Sequence, residues 1–292
     1  MTGNGGFVGR HFCSLYGGLP LADDQGAVDI QDARRVESAM DALKPEAVLH
    51  LAAQSSVVAS FEDPSSTFSV NFIGTFNLLR ALKRLQFQGV FLLASTADVY
   101  GKVPEADLPI KETQAIHPRS PYAVSKVAAE AICYQWSQTE KFRVIVARSF
   151  TQTGPGQERR FAIAGFAHQI AEIGTGRRAP TLVGGDLDVI RDISDVRDTV
   201  RAYWLLLERG VSGEAYNICS GHGHSLRSVV EEMLRISGVV AEIRTDPALL
   251  RPAEQRRMVG DAAKIHAITG WEPEIPFRTT LTDILQEARG RQ

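Results

Sequence analysis

Three apolar runs constrain the fold of this chain more than any other feature: AVLHLAA (Ala47 to Ala53), GVFLLAS (Gly89 to Ser95) and FRVIVARSF (Phe142 to Phe150). Near-continuous apolar strands leave no face for water, so they suit parallel strands covered by helices on both sides. The segments between them have helical spacing. Asp63 to Leu85 sets Pro64 in a first turn and repeats Phe68, Phe72, Phe76 and Leu79 along one side, while Ser120 to Ser137 enters through Ser120 and Pro121. Strand–helix alternation implies right-handed crossovers and a doubly wound α/β sheet. Beyond residue 150 the elements shorten: a helix from Ser194 to Glu208, a strand in EAYNICS and a helix from Ser225 to Ser237. The expectation is a main sheet domain over 1–150 and a smaller α/β lobe over 151–292, with some of its segments returning to the sheet.

The chain opens MTGNGGFVGR, with Gly3, Gly6 and Gly9 at three-residue spacing before a helical stretch. Such a turn lets backbone approach a phosphate at a helix N-terminus, but in a chain with 25 glycines it reads equally as an ordinary turn. Two further segments carry chemistry. In YAVSK, Tyr122 and Lys126 are four apart and share a helix face. An ammonium beside the phenol is expected to draw Tyr122 down from about 10 towards working pH, where it can exchange a proton with a hydroxyl or carbonyl. The alternative is a surface Tyr and Lys. In STADVYG, directly after an apolar strand, Thr96 can hydrogen-bond a reacting oxygen and Asp98 can present a carboxylate; a plain Ser/Thr/Asp turn is the alternative.

Composition removes several function classes. A net charge of -2 offers no electrostatic case for nucleic acid or an anionic membrane. No apolar run approaches a membrane span, and the first residues lack the charged-then-apolar pattern of a secretory signal. Cys13, Cys133 and Cys219 are odd in number and far apart, which fits reduced thiols in a cytoplasmic protein. No histidines stand at ligand spacing, and His222 and His224 read as loop residues, so no metal is expected.

Taken in order, the glycine loop, a strand ending in Ser-Thr and a later Tyr-x-x-x-Lys helix resemble the extended short-chain dehydrogenase/reductase family of the epimerase/dehydratase type. TGNGGFVG resembles its cofactor loop, HLAAQSSV its motif at the end of the third strand, and NFIGTFNLL its Asn-bearing helix. STADVYG and PYAVSK are similar to its catalytic segments, and RDISDVRDTVRAYWLLL to its C-terminal signature. The resemblance runs from Thr2 to about Pro276. It implies a Rossmann-type sheet binding NAD(P) over 1–150 and a substrate lobe over 151–292. It also implies a homodimer through a four-helix bundle on the Asn71 and Tyr122 helices, with Phe68, Phe72, Leu79, Ile132 and Trp136 as candidates for that surface or for the core.

By the same resemblance, Tyr122 exchanges the proton, Lys126 binds the nicotinamide ribose, and Thr96 holds the reacting oxygen with Asp98 nearby. Gly3, Gly6, Phe7, Val8, Leu51, Ala52, Ala53 and Asn71 would line or support the cofactor, and Asp29 with Ile30 would meet the adenine; a helix N-cap is the other reading of Asp29. Asp23 and Asp24, with no Arg in LPLADDQGAVD, lean towards NAD over NADP. RSFTQTGPGQ, VIRDISDVRD and RPAEQRRMVGDAAKIHAITGWEPEI are similar to the branch acting on GDP-linked 4-keto-6-deoxy-mannose. There Arg191 would meet the substrate diphosphate, and Arg251 with Glu254 would hold the nucleoside; ion pairs to Asp192 or Asp195 and a solvated loop are the alternatives. Thr151-Gln152 stands where the family usually has Asn-His, which alters a substrate contact.

The expected reaction is reduction of a sugar C4 ketone. A dehydratase or 4-epimerase using the same Tyr122 and Lys126 would be redox-neutral, and a non-catalytic NAD(P) sensor is the reading from another class. Only Met1 and Thr2 precede the glycines, so the sequence is expected to start about five to eight residues late, with Met1-Thr2 the tail of the first strand.

Overall fold

The computed structural model describes residues 1–250 and 255–290. Helix α1 (Phe7–Tyr16) follows the glycine turn, and a hairpin of β1 (Ala22–Asp23) and β2 (Gly26–Ala27) leads to α2 (Ala33–Leu43) and β3 (Ala47–His50). Next come α3 (Val57–Glu62), α4 (Pro64–Phe68), a π-helical turn Ser69–Ile73 and α5 (Gly74–Arg84), then β4 (Val90–Thr96), α6 (Pro121–Thr139) and β5 (Arg143–Ser149). The C-terminal half holds β6 (Thr151–Thr153), α7 (Ala162–Gly174), β7 (Thr181–Gly184), β8 (Ile190–Asp195), α8 (Val196–Arg209) and β9 (Ala215–Ile218). It ends with β10 (Gly223–Ser225), α9 (Leu226–Ser237), β11 (Glu242–Thr245), β12 (Arg257–Met258), α10 (Ala263–Thr269) and α11 (Phe277–Gly290).

The apolar runs form the middle of a parallel sheet ordered β3-β4-β5-β9, in the register Leu49 beside Leu92 beside Ile145. Successive side chains of β4 point to opposite faces. Phe91 and Leu93 pack with Val36, Met40, Leu78, Leu82 and Trp136, while Leu92 packs with Phe12, Val200, Tyr203, Leu206 and Trp271. Both faces are dry, which is why the run shows no alternation; each such fully buried Leu contributes about 1.5–3 kcal/mol. At the other edge Thr2 makes a parallel bridge to His50, with its N–H on Leu49 O at 3.1 Å, and Leu21 N reaches Met1 O at 2.8 Å. Met1-Thr2 therefore sits beside β3, where the sequence placed the end of a first strand.

β9 comes from the second half of the chain and closes the sheet beside β5. The rest of that half is built on β8, flanked by β10, β12 and β6, with β7 and β11 paired separately. Its core joins α7, α9 and α11 through Phe166, Ile170, Val230, Met233, Leu281 and Leu285.

Two expectations are corrected and one open choice is decided. Asp63 to Leu85 is helical but not uniformly α: the π-turn widens it at Asn71, a local irregularity common at functional positions. Of the residues left open between surface and core, Leu79 and Trp136 fall in the core, 0% and 8% exposed. His224 lies in β10 and stacks on Phe277 at 4.2 Å between ring centroids.

Candidate active site

The carboxyl ends of β4 and β5 open into a cavity of about 1130 Å³ that reaches from the glycine turn to Met258. In open α/β sheets this is the position where ligands bind. Along one wall, Gly3 takes φ 70° and Gly6 N–H closes the turn onto Gly3 O at 3.1 Å. Gly6 caps α1 without any side-chain acceptor, so the first-turn N–H groups of the helix face the cavity as a seat for an anion. The packing leaves no room for side chains: a Cβ at Gly3 would lie 2.7 Å from Ala52 N, and one at Gly9 2.2 Å from Gly3 O.

Phe7, Val8, Leu51, Ala52 and Ala53 line the same wall. Asn71 does not: it is buried behind it, accepting from Gln54 N at 2.9 Å and donating to Gln54 O and Ser125 Oγ at 3.0 and 2.9 Å. Ser125 Oγ donates in turn to Tyr122 O, so Asn71 ties the loop after β3 to the tyrosine helix. Asp29 and Ile30 also stand outside the cavity lining. Asp29 accepts from Gln31 N, Ile30 O accepts from Asn77, and the N-cap of α2 is Asp32, not Asp29. Asp23 is not a lone acid: Arg35 reaches back from α2 with Nε and Nη2 at 2.8 and 2.7 Å. The segment read as free of arginine is thus supplied with one by the fold, which removes the basis for preferring NAD.

Thr96, Asp98, Tyr122 and Lys126 converge on the opposite wall. Thr96 ends β4, takes the Asp98 N–H on its Oγ1 at 3.2 Å and hydrogen-bonds the Tyr122 phenol. Tyr122 and Lys126 share the inner face of α6, 8% and 4% exposed. Lys126 Nζ donates to Ala94 O at 3.0 Å, and burial pulls its ammonium down to about 8. Tyr122 departs from expectation: burial and the Asp98 carboxylate push its phenol well up, with the Thr96 hydrogen bond opposing them. Burial outweighs any help from Lys126, which spends a hydrogen bond on the strand. The resting group is therefore a protonated phenol, the form that can donate.

The far wall belongs to the C-terminal half. Thr151 is exposed and lines the cavity beside Gln152, whose Oε1 is buried without a partner among the described residues. Arg191 donates from Nη1 to Ile190 O and Gln255 O at 2.9 and 2.8 Å and lines the cavity. Asp192 is taken by Ser220 and the N–H groups of Gly221 and Gly260, and Asp195 by Arg197 and Thr280. Arg251 and Glu254 lie outside the described residues. Sequence reasoning missed Tyr203, which pairs with Ser149 at 2.7 Å and is pushed up to about 12 by burial, and also Arg119, Arg160 and Phe161. Tyr203 sat in a helical apolar pattern that reads as core; the loop residues carried no signal.

Among the described residues no group of three or more His, Cys, Asp or Glu is placed to hold a metal, and no described helix is long and apolar enough to cross a membrane. The site does fit a dinucleotide: a helix N-terminus with close glycines on one wall faces Tyr122 and Lys126 on the other within one cavity.

Comparison with known proteins agrees. The GDP-mannose 4,6 dehydratase family model matches residues 26–284. The chain is 45% identical to GDP-6-deoxy-D-mannose reductase of Pseudomonas aeruginosa, over 100% of this chain and 97% of that protein. It is 29% identical to a GDP-mannose 4,6-dehydratase of Vibrio cholerae, over 89% of this chain and 77% of the relative. Among solved structures it is similar to RMD from Pseudomonas aeruginosa complexed with NADPH, with a TM-score of 0.93, 44% identity and coverage of 99% and 98% of the two chains. The Thermus thermophilus UDP-glucose 4-epimerase complex with NAD gives a TM-score of 0.85 at 30% identity, covering 99% and 98%.

Proposed function

The chain belongs to the GDP-mannose 4,6 dehydratase family, within the extended short-chain dehydrogenase/reductases, and on that premise we propose that it is an NAD(P)H-dependent reductase. Its substrate is the C4 ketone of GDP-6-deoxy-4-keto-D-mannose, and its product is of the GDP-D-rhamnose type. The observation that carries this reading is the 45% identity, over the whole chain, to a GDP-6-deoxy-D-mannose reductase.

Residues 1–150 would hold the dinucleotide, with its diphosphate on the N–H groups of the Gly3–Gly9 turn and its nicotinamide ribose on Lys126. When bound, the reduced nicotinamide supplies the hydride for C4. Tyr122 donates its phenolic proton to the developing C4 alkoxide; burial holds the phenol in the protonated form that this step needs. Thr96 directs its hydroxyl at the same oxygen, and the Lys126 ammonium stabilises the charge in a site largely shielded from water. Residues 151–292 supply most of the substrate wall: Arg191 faces the diphosphate, and Thr151 and Gln152 contact the sugar nucleotide. The three cysteines are free thiols, consistent with a cytoplasmic protein. The protein would pair as a homodimer through the stripe of Phe72, Ile73, Val124 and Ile132, where Ile73 and Val124 are 42% and 40% exposed.

The test is stoichiometric. Incubation with GDP-6-deoxy-4-keto-D-mannose should consume one NADH or NADPH per sugar reduced, with the two cofactors followed separately by nicotinamide absorbance. Conversion of GDP-mannose to the keto sugar with no net change in absorbance would instead identify a dehydratase, the activity named for the relatives near 30% identity.

A further inference from the structure

Beneath Thr96, Tyr122 and Lys126 lies a buried ion pair that the proposed chemistry does not use. Glu130 stands one helical turn beyond Lys126 on α6, and Arg148 faces it from β5; each side chain is 8% exposed. Arg148 Nη2 donates to Glu130 Oε2 at 2.7 Å, and its Nε reaches the two carboxylate oxygens at 3.0 and 3.2 Å. Ser95, the residue before Thr96, donates its hydroxyl to Glu130 Oε1. Arg148 Nη1 also reaches Tyr100 Oη at 3.1 Å, and the phenol donates to Asn217 at 2.6 Å. Such a pair is weak as a source of stability, because dehydrating two charges offsets most of their attraction. Its position has another consequence. The anion lies under Lys126, while the compensating guanidinium approaches Glu130 from the neighbouring strand.

We propose that Glu130, held in place by Arg148 and Ser95, is a positioning residue that keeps the Lys126 ammonium charged through the working pH range. This rests on the reading of Lys126 as the cation serving ribose and alkoxide. The groups facing Lys126 support it. His50, across from it on β3, is buried neutral between Thr2 and Thr75 and adds no negative charge. Cys133, on the same helix, is buried and pushed up, so it stays a thiol. Tyr122 and Tyr203 remain phenols, and Asp98 acts on Tyr122. Glu130 is the carboxylate that favours charged Lys126, against a burial that opposes it.

The test compares Glu130→Gln with Glu130→Asp by two pH profiles: kcat for NADPH-dependent reduction of the keto sugar, and NADPH affinity without substrate, followed by nicotinamide fluorescence. In the unaltered protein the basic limb should fall near pH 8. Glu130→Gln should move that limb down by about one pH unit in both profiles, since an opposite charge nearby is worth about one to three units. Glu130→Asp keeps the charge and should keep the limb, even with a lower kcat. A limb unmoved in Glu130→Gln, or moved equally in both variants, overturns the proposal. If Glu130→Gln does not fold, Glu130→Gln combined with Arg148→Met removes the guanidinium left without its carboxylate, and the limb must still fall because Glu130 and not Arg148 acts on Lys126. A protein that binds NADPH without reducing the sugar removes the reductase reading, and the affinity profile still decides the role of Glu130.

Discussion

Residue by residue, the chemistry depends on what burial does to a few polar groups. The Tyr-x-x-x-Lys spacing and the Ser-Thr strand end made Tyr122, Lys126 and Thr96 legible, because four residues of helix fix a shared face regardless of the rest of the fold. The state of the phenol was not legible. It depends on burial at 8% exposure and on Asp98, which only the folded chain supplies. Nor does any local pattern reveal that Asp23 is engaged by Arg35 from another element. Replacing Tyr122 with Phe removes one hydroxyl and little volume. The variant should fold and bind NADPH as before while kcat falls by about 10²–10⁴, the usual contribution of a positioned general acid. Single-turnover loss of nicotinamide absorbance measures this, and unchanged turnover would remove the phenol from the mechanism.

The elements were read more fully than their interiors. Each apolar run is a strand of the central sheet, and each long amphipathic pattern is helical within a few residues of its reading. The π-turn at Ser69–Ile73 escaped because widening a helix by one residue per turn leaves no mark on composition. The glycine turn was ambiguous for a related reason: its role rests on backbone packed where no Cβ would fit, which residue type alone does not report. Gly9→Ala tests that element. Its methyl would press on Gly3 O and on Asn4, so the turn must open. A distortion costing about 1.4 kcal/mol already weakens binding about tenfold, so NADPH affinity should fall by at least that factor while far-ultraviolet circular dichroism is retained. Full affinity would show that the N–H groups of this turn do not seat the diphosphate.

For the molecule as a whole, the sheet domain was clear from the sequence and the C-terminal half only as short fragments. β6, β7, β10 and β12 are four residues or fewer and gain their identity by pairing with distant strands, so local periodicity cannot report them. Association belongs to the same scale. Ile73 and Val124 are exposed apolar residues on neighbouring helices; changing both to Asp should yield a monomer by light scattering, because two buried carboxylates per protomer would go unpaired at the proposed interface. A dimer that survives the change places the interface elsewhere.

The loop after β6 adds a mechanical dimension. Arg10 grips Gly5 O with one nitrogen and Gly156 O with another, His11 bonds Pro155 O, and Glu287 on α11 takes the Gly156 N–H. The seat for one ligand and the wall for the other are thereby a single elastic unit, anchored to the first and last helices. Displacing that loop would therefore pull on the glycine turn as well, through the two α1 side chains that hold it.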